Sequence, residues 1–208
     1  MRTLGLSLVP LALLLGCNGN TSATRTDEHA PAVSTSSVVV RPAVAWPAMS
    51  SVDDGALLSL SRNGEKSEQE IRALVSRSPV PVLAPKTIRF ATPTLVVEGE
   101  YFSLTGRVDA PAPSGTRATV NIQGTRAAHR YENVEPPASA RTRDLARGSA
   151  VRGFVSINEG IRNASWIENG TAYSVDLECS DHQDARCSNE DFLLSIVAQL
   201  TFIGGSGR

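Results

Sequence analysis

Few residue types in this sequence could carry chemistry, and their spacing limits what that chemistry could be. There are three histidines. His29 lies among small and polar residues, His129 stands beside Arg126 and Arg130, and His182 falls within Asp181-His182-Gln183-Asp184. A serine hydrolase needs a nucleophile on a strained turn, a base within reach and a group that orients the base. No G-x-S-x-G occurs, and the serines are spread through segments that read as loops. Hydrolysis at a His129 or His182 site is therefore the weaker reading, and no catalytic residue is assigned. The Asp181–Asp184 stretch offers oxygen ligands to calcium, or a histidine and a carboxylate to zinc. No glycine supports an EF-hand-type turn, and the four-ligand zinc spacing is missing. The stretch reads as a solvated acidic loop, with no metal. No P-loop and no G-x-G-x-x-G is present, so no cofactor is assigned.

The most suggestive constellation is cationic. Arg126, Arg130, Arg141, Arg143, Arg147 and Arg152 bracket residues 132–149, opposed only by Glu132, Glu135 and Asp144. That segment, with Pro136-Pro137 and several alanines, reads as a long mobile loop, and loops of such length are usually functional or disordered. From Ser156 to Asp191 the balance reverses, with eight acids against Arg162 and Arg186. Guanidinium forks pair with phosphate or carboxylates. The six arginines are thus a candidate site for an anionic envelope component or an envelope protein. The competing reading is an internal match between two oppositely charged halves. The net charge of −1 provides no global field for nucleic acid, and no nucleic-acid partner is expected.

These residues need a scaffold, and the stretch from Ala164 to Gly204 supplies its outline. Ala164 to Glu168 and Thr171 to Cys179 alternate around Asn169-Gly170, the strongest short-range hairpin signal, because a type I′ turn needs positive φ at both central residues. Tyr173, Val175, Leu177 and Cys179 share one face; Ser174, Asp176 and Glu178 share the other. Tyr101 to Val108, Thr119 to Gly124 and Val151 to Asn158 alternate too, and 87–90 and 94–97 are short strand candidates. One polar face per strand means that one face of the sheet is wet or lines a groove. Ser67 and Glu70 have the spacing of a capping box, with Ile71, Leu74 and Val75 on one helical face after them. Ala56 to Leu60 is a weaker helix, and Pro79 to Pro85 reads as extended and packed on the domain. Ser188 is expected to cap a C-terminal helix striped by Phe192, Leu193, Ile196, Val197 and Leu200, with an edge strand over 201–203. The expected fold is α+β: an antiparallel sheet of about five or six strands covered on one face by the C-terminal amphipathic helix.

The N-terminus fixes the compartment. Arg2 precedes an apolar run from Leu4 to Leu15 that is too short to span a bilayer and reads as a signal peptide. Leu14-Leu15-Gly16-Cys17 resembles the lipobox of bacterial lipoproteins. The resemblance covers only the first 18 residues. It implies diacylglyceryl transfer to the Cys17 sulfur, cleavage before Cys17 and acylation of the new amino terminus, with the lipid bilayer as partner. Asn18, not Asp, follows the cysteine, which by the same resemblance implies an outer-membrane lipoprotein facing the periplasm or the cell surface. With Cys17 lipidated, Cys179 and Cys187 remain as an even pair in an oxidising compartment. They are expected to form a disulfide, with a metal pair or two free thiols as alternatives. The domain plan is a signal peptide over 1–16, a lipidated cysteine and disordered tether over 17–51, one α+β domain over 52–204 and a frayed end over 205–208. The order of hairpin then amphipathic helix also resembles C-terminal modules of cell-envelope lipoproteins. The expected role is non-enzymatic binding or scaffolding, with an envelope hydrolase or a carrier of apolar ligands as alternatives. Two or more acyl chains anchor stably, at about 0.8 kcal/mol per buried methylene. Cys17→Ser should therefore release the chain from membranes on fractionation; retention in the membrane fraction would contradict the anchor.

Overall fold

The computed structural model describes residues 37–40, 43–48, 51–108, 116–131, 140–147, 151–181 and 183–205, with 37–40 and 128–131 by their backbone alone. The signal peptide, Cys17, most of the tether, His29, His182, residues 132–139 of the expected loop and the 206–208 end lie outside the described residues. The fold belongs to the unit from Thr35 to Arg208. In chain order its elements are β1 (Ser37–Val40), α1 (Asp54–Asn63), α2 (Glu68–Val75), β2 (Val82–Pro85), β3 (Phe90–Glu98), β4 (Tyr101–Val108), β5 (Ala118–Thr125) and β6 (Ala128–Tyr131). Then come β7 (Arg141–Leu145), β8 (Val151–Asn158), β9 (Ile161–Glu168), β10 (Thr171–Cys179), α3 (Ala185–Ser188), α4 (Asp191–Ala198) and β11 (Leu200–Gly204).

The described chain is mostly β, and its main sheet has seven antiparallel strands, more than the five or six expected, in the order β3-β4-β5-β10-β9-β8-β7. It is two meanders joined along one seam. β3, β4 and β5 form the first; β7, β8, β9 and β10 form the second; β5 and β10 pair from Ala118 opposite Cys179 to Thr125 opposite Ala172. The turns follow the residue chemistry. Asn169 and Gly170 sit at φ 53° and 72°, and Glu159 and Gly160 at φ 50° and 85°, as two-residue hairpins with the right-handed strand twist require. β3 takes in the 94–97 candidate but only Phe90 of the 87–90 one, and its register shifts between Ala91 and Thr94; Thr92 stands there at φ 48°. One extra residue at such a bulge breaks the alternation that a sequence reading relies on. The expected loop contains a strand as well: β7 pairs with β8, Arg141 opposite Val155 and Leu145 opposite Val151.

Alternation decides what each face carries. Phe102, Leu104, Val120, Ile122, Tyr173, Val175 and Leu177 are buried on one face, and their alternating neighbours are half-buried or exposed. On the apolar side α1 and α2 meet β3, α4 meets β7, β9 and β10, and β2 meets β5. β2 and β11 form a separate two-stranded sheet, and Val82, Leu83, Phe202 and Ile203 join Leu57, Ile71, Leu193 and Ile196 in the same core. The second part of the extended proline segment, Val82–Pro85, is thus a buried strand. The Ser67 capping box forms as expected: the Glu70 amide donates to Ser67 Oγ at 3.3 Å, and the Ser67 amide donates to Glu70 Oε2 at 2.8 Å. Ser188 does not cap the C-terminal helix. It closes α3, a turn capped by Asp184, and the first amide of α4 donates instead to Asn189 Oδ1 at 2.9 Å. The physical cause is the Cys179–Cys187 disulfide, which ties the end of β10 to α3 at a Cα separation of 6.1 Å and claims Ser188 for its own turn.

Residues 43–48, whose composition reads as tether, lie against the domain. The Ala45 amide donates to the Asn169 carbonyl at 2.9 Å. A Cβ at Gly170 would run into the Ala43 carbonyl, and a Cβ at Gly205 would meet the Trp46 ring. Gly170→Ala therefore adds a steric conflict to the left-handed strain of about 1–2 kcal/mol. Gly99→Ala, also at positive φ but facing open space, carries the strain alone. Urea midpoints should fall further for the first than for the second, and equal shifts would contradict the strap contact. Reducing the disulfide, which closes a short loop, should cost about 2–3 kcal/mol on the chain-entropy model and lower the melting temperature measurably.

Candidate functional site

The six arginines do not converge. Arg141 and Arg143 stand opposite Val155 and Gly153 and share their helix-side face. Arg152 stands opposite Asp144 on the other face, 3.6 Å from its carboxylate, with both side chains more than three-quarters exposed. Such a pair contributes little. Arg126 follows β5, four strands from β7, and its Nε is buried with no hydrogen-bond partner. Arg130 lies on β6 opposite Val38, and His129 opposite Val39, in the two-stranded β1–β6 sheet.

Two arginines join the oppositely charged parts of the chain. Arg143 pairs with Glu190. Arg147, with only 8 % of its side chain exposed, donates from Nε to Glu168 Oε2 at 2.6 Å and from Nη1 to the carbonyls of Val197 at 3.1 Å and Leu200 at 2.9 Å. Val197 lies in the last turn of α4, where the helix end favours a cation, and Leu200 opens β11 just beyond it. The guanidinium lies 5.6 Å from the Trp166 ring centroid. Trp166 donates to the same Glu168 oxygen at 3.1 Å and stacks on Tyr173 at 5.4 Å; the Tyr173 hydroxyl donates to the Pro81 carbonyl at 2.9 Å. Burial pushes the Tyr173 phenol well above its ordinary range, so it stays neutral. One chain of contacts thus runs from the β7–β8 connection through the sheet to the segment entering β2. Near the disulfide, Asp184 is clasped by its neighbour: Arg186 donates to it from the backbone amide at 2.9 Å, from Nε at 3.0 Å and from Nη2 at 2.5 Å. The side-chain hydrogen bond from Arg186 holds the Asp184 carboxyl well below the usual carboxylate range.

The open face carries a different arrangement. The pairings set Thr105, Asn121, Asp176, Asn163 and Ser156 in one row across β4, β5, β10, β9 and β8. The hydrogen bonds run inward to the carboxylate. Ser103 and Thr105 donate to Asn121 Oδ1 at 2.8 and 3.0 Å, which turns the Asn121 amide nitrogen toward Asp176 Oδ2 at 3.5 Å. Asn163 Nδ2 donates to Asp176 Oδ1 at 2.7 Å from the other side. Around this row is an open groove of about 520 Å³ that also includes Thr119, Asn158 and Glu178. Next to it, a groove of about 500 Å³ is bounded by Tyr101, Gln123, Ala172 and Ser174. Strand alternation places each of these residues on the wet face, but the row needs the β5–β10 register, and Asn121 and Asp176 are 55 residues apart. No protein-family model matches the sequence, and neither the curated proteins nor the solved structures compared with it give a match. No cluster of metal-binding side chains occurs among the described residues.

Removing one partner of a buried pair costs about 3–5 kcal/mol. Arg147→Ala should therefore lower the unfolding free energy by that order, Arg147→Lys should not restore it because one ammonium cannot reproduce the fork, and Arg152→Ala should change it by under about 0.5 kcal/mol. Denaturant titration of the three variants checks this. Asp184 has its folded pKa depressed, so its contribution is complete above the ordinary carboxylate pKa of about 3.9 and fades as pH falls toward the folded value. The stability gap between wild type and Asp184→Asn should be widest near neutrality and narrow below about pH 4. A gap independent of pH would contradict the clasp.

Proposed function

We propose that this chain is a non-enzymatic binding or scaffolding lipoprotein of the bacterial cell envelope, moored by acyl chains on Cys17. It presents the polar face of its seven-stranded sheet to a partner, while the C-terminal helix forms part of the cover on the apolar face. The observation that carries the reading is the row centred on Asp176, whose amide and hydroxyl neighbours are ordered by one another on an open surface. Side chains held this way lose little freedom when a ligand arrives. The interior offers no comparable site among the described residues, since Phe102, Leu104, Ile122, Leu177, Leu193 and Ile196 fill the space under the sheet at below 2 % exposure. The lipobox-like N-terminus and the disulfide support the envelope location and an oxidising compartment. Two exposed arginines, Arg152 on the polar face and Arg141 on the helix-side one, would add contacts to an anionic neighbour.

Affinity capture from intact envelopes tests the role. The Asn121→Ala/Asn163→Ala double variant should lose the component retained by the wild type while keeping its circular dichroism. Arg141→Ala/Arg152→Ala should weaken retention only in low salt. Capture unchanged in the first variant and lost in the second would move the site from the face to the arginines.

A further inference from the structure

We infer that the ligand of this face is a neutral glycan chain lying across β5, β10, β9 and β8. This rests on the binding role proposed above and gives that role its ligand chemistry.

The lining decides the chemistry. A carboxylate presents about four lone-pair sites, and the two amides of Asn121 and Asn163 occupy two of those on Asp176. Unused acceptors remain on Asp176 and Asn163, and hydroxyl or amide donors stand beside them on Thr119, Ser156 and Asn158. A surface mixing donors and acceptors at one level matches a ligand whose every polar group does both. Vicinal hydroxyls on a sugar ring have that property; phosphates and carboxylates only accept, and ammonium groups only donate. Charge points the same way. Asp176 and Glu178 are the charged residues of this groove, and no lysine or arginine lines it, so an anionic polymer would be repelled. An amine would be attracted to Glu178, but the Asp176 carboxylate at the centre of the row already receives two N–H groups, and the rest of the lining is neutral.

Shape selects a chain over a small molecule. Pockets for small ligands bury most of the ligand surface, whereas these two grooves are open and adjoin one another. From β4 to β8 they cross four strand spacings, about 19 Å at 4.8 Å each. Exposed apolar surface flanks the polar row: Tyr101, Phe154 and Ile167 are 39, 47 and 62 % exposed on this same face. A sugar ring offers C–H faces to such groups and hydroxyl edges to the row, which a uniformly polar ligand could not do.

Isothermal titration of the full mature chain tests this with chitohexaose, cellohexaose and maltohexaose as neutral probes, heparin as an anionic one and spermine as a cationic one. At least one neutral oligosaccharide should bind saturably, with Asn163→Ala weakening it about tenfold or more, the equivalent of one lost hydrogen-bonded contact of about 1.4 kcal/mol. Asn158→Ala, at an exposed position of the same groove that does not support the fold, should weaken it several-fold, and Arg152→Ala less than twofold. Saturable binding of heparin or spermine with none of the three sugars would overturn the inference, as would sugar binding indifferent to Asn163 and Asn158. If envelope capture depends on the face while no neutral sugar binds, the glycan is excluded and the binding role stands. If neither depends on the face, both fail.

Discussion

One pairing holds this molecule to a single arrangement: the antiparallel seam of β5 with β10. It joins two meanders that local hairpins could each form alone. Along it, Val120 faces Leu177 and Ile122 faces Val175 toward the core, while Asn121 faces Asp176 toward solvent. The period of two makes these outcomes inseparable. A slip of one residue would turn the apolar side chains of the slipping strand outward and break the polar row in the same step. Burial of aliphatic side chains, each worth about 1.5–3 kcal/mol, therefore fixes where the polar groups stand. The site needs no separate device to position it.

A second device ties α4 and β11 to the sheet. Arg147 binds one carbonyl in the last turn of α4, one at the start of β11 and the carboxylate of Glu168 at once, under the ring of Trp166. The group is nearly sealed from water, so its contribution to uniqueness exceeds that of the exposed Arg152–Asp144 pair. It also explains the segregation of charge along the chain. Arg143 and Arg147 find Glu190 and Glu168, so part of that segregation reflects two chain halves matching one another, which leaves the exposed Arg141 and Arg152 as the remaining candidates for external anions.

Much of the sheet was legible in the sequence, because alternation and turn chemistry are local. Asn169-Gly170 and the Ser67–Glu70 box act within four residues, and each forms as its spacing predicts. β7 was hidden because two of its helix-side positions are Arg141 and Arg143, so its alternation read as a solvated loop. β3 was split by the irregularity at Thr92. The Ser188 cap was misplaced because the disulfide imposes a separate turn that propensity does not weigh. The polar row was half legible: its members belong visibly to the wet face, but their alignment depends on long-range register, which no local pattern encodes. Arg147 read as one of six loop arginines, since nothing near it in sequence announces Trp166 or the end of α4.

The central claim is that the row around Asp176 is ordered for recognition and contributes little to holding the fold. Half-buried polar side chains of this kind add about 1 kcal/mol per hydrogen bond. The most direct measurement is the unfolding free energy of Asp176→Ala, Asn163→Ala and their double variant, taken beside ligand capture by the same proteins. The account predicts losses near 1 kcal/mol for each, with capture abolished. A loss of several kcal/mol with capture intact would contradict it and make the row a strut of the sheet.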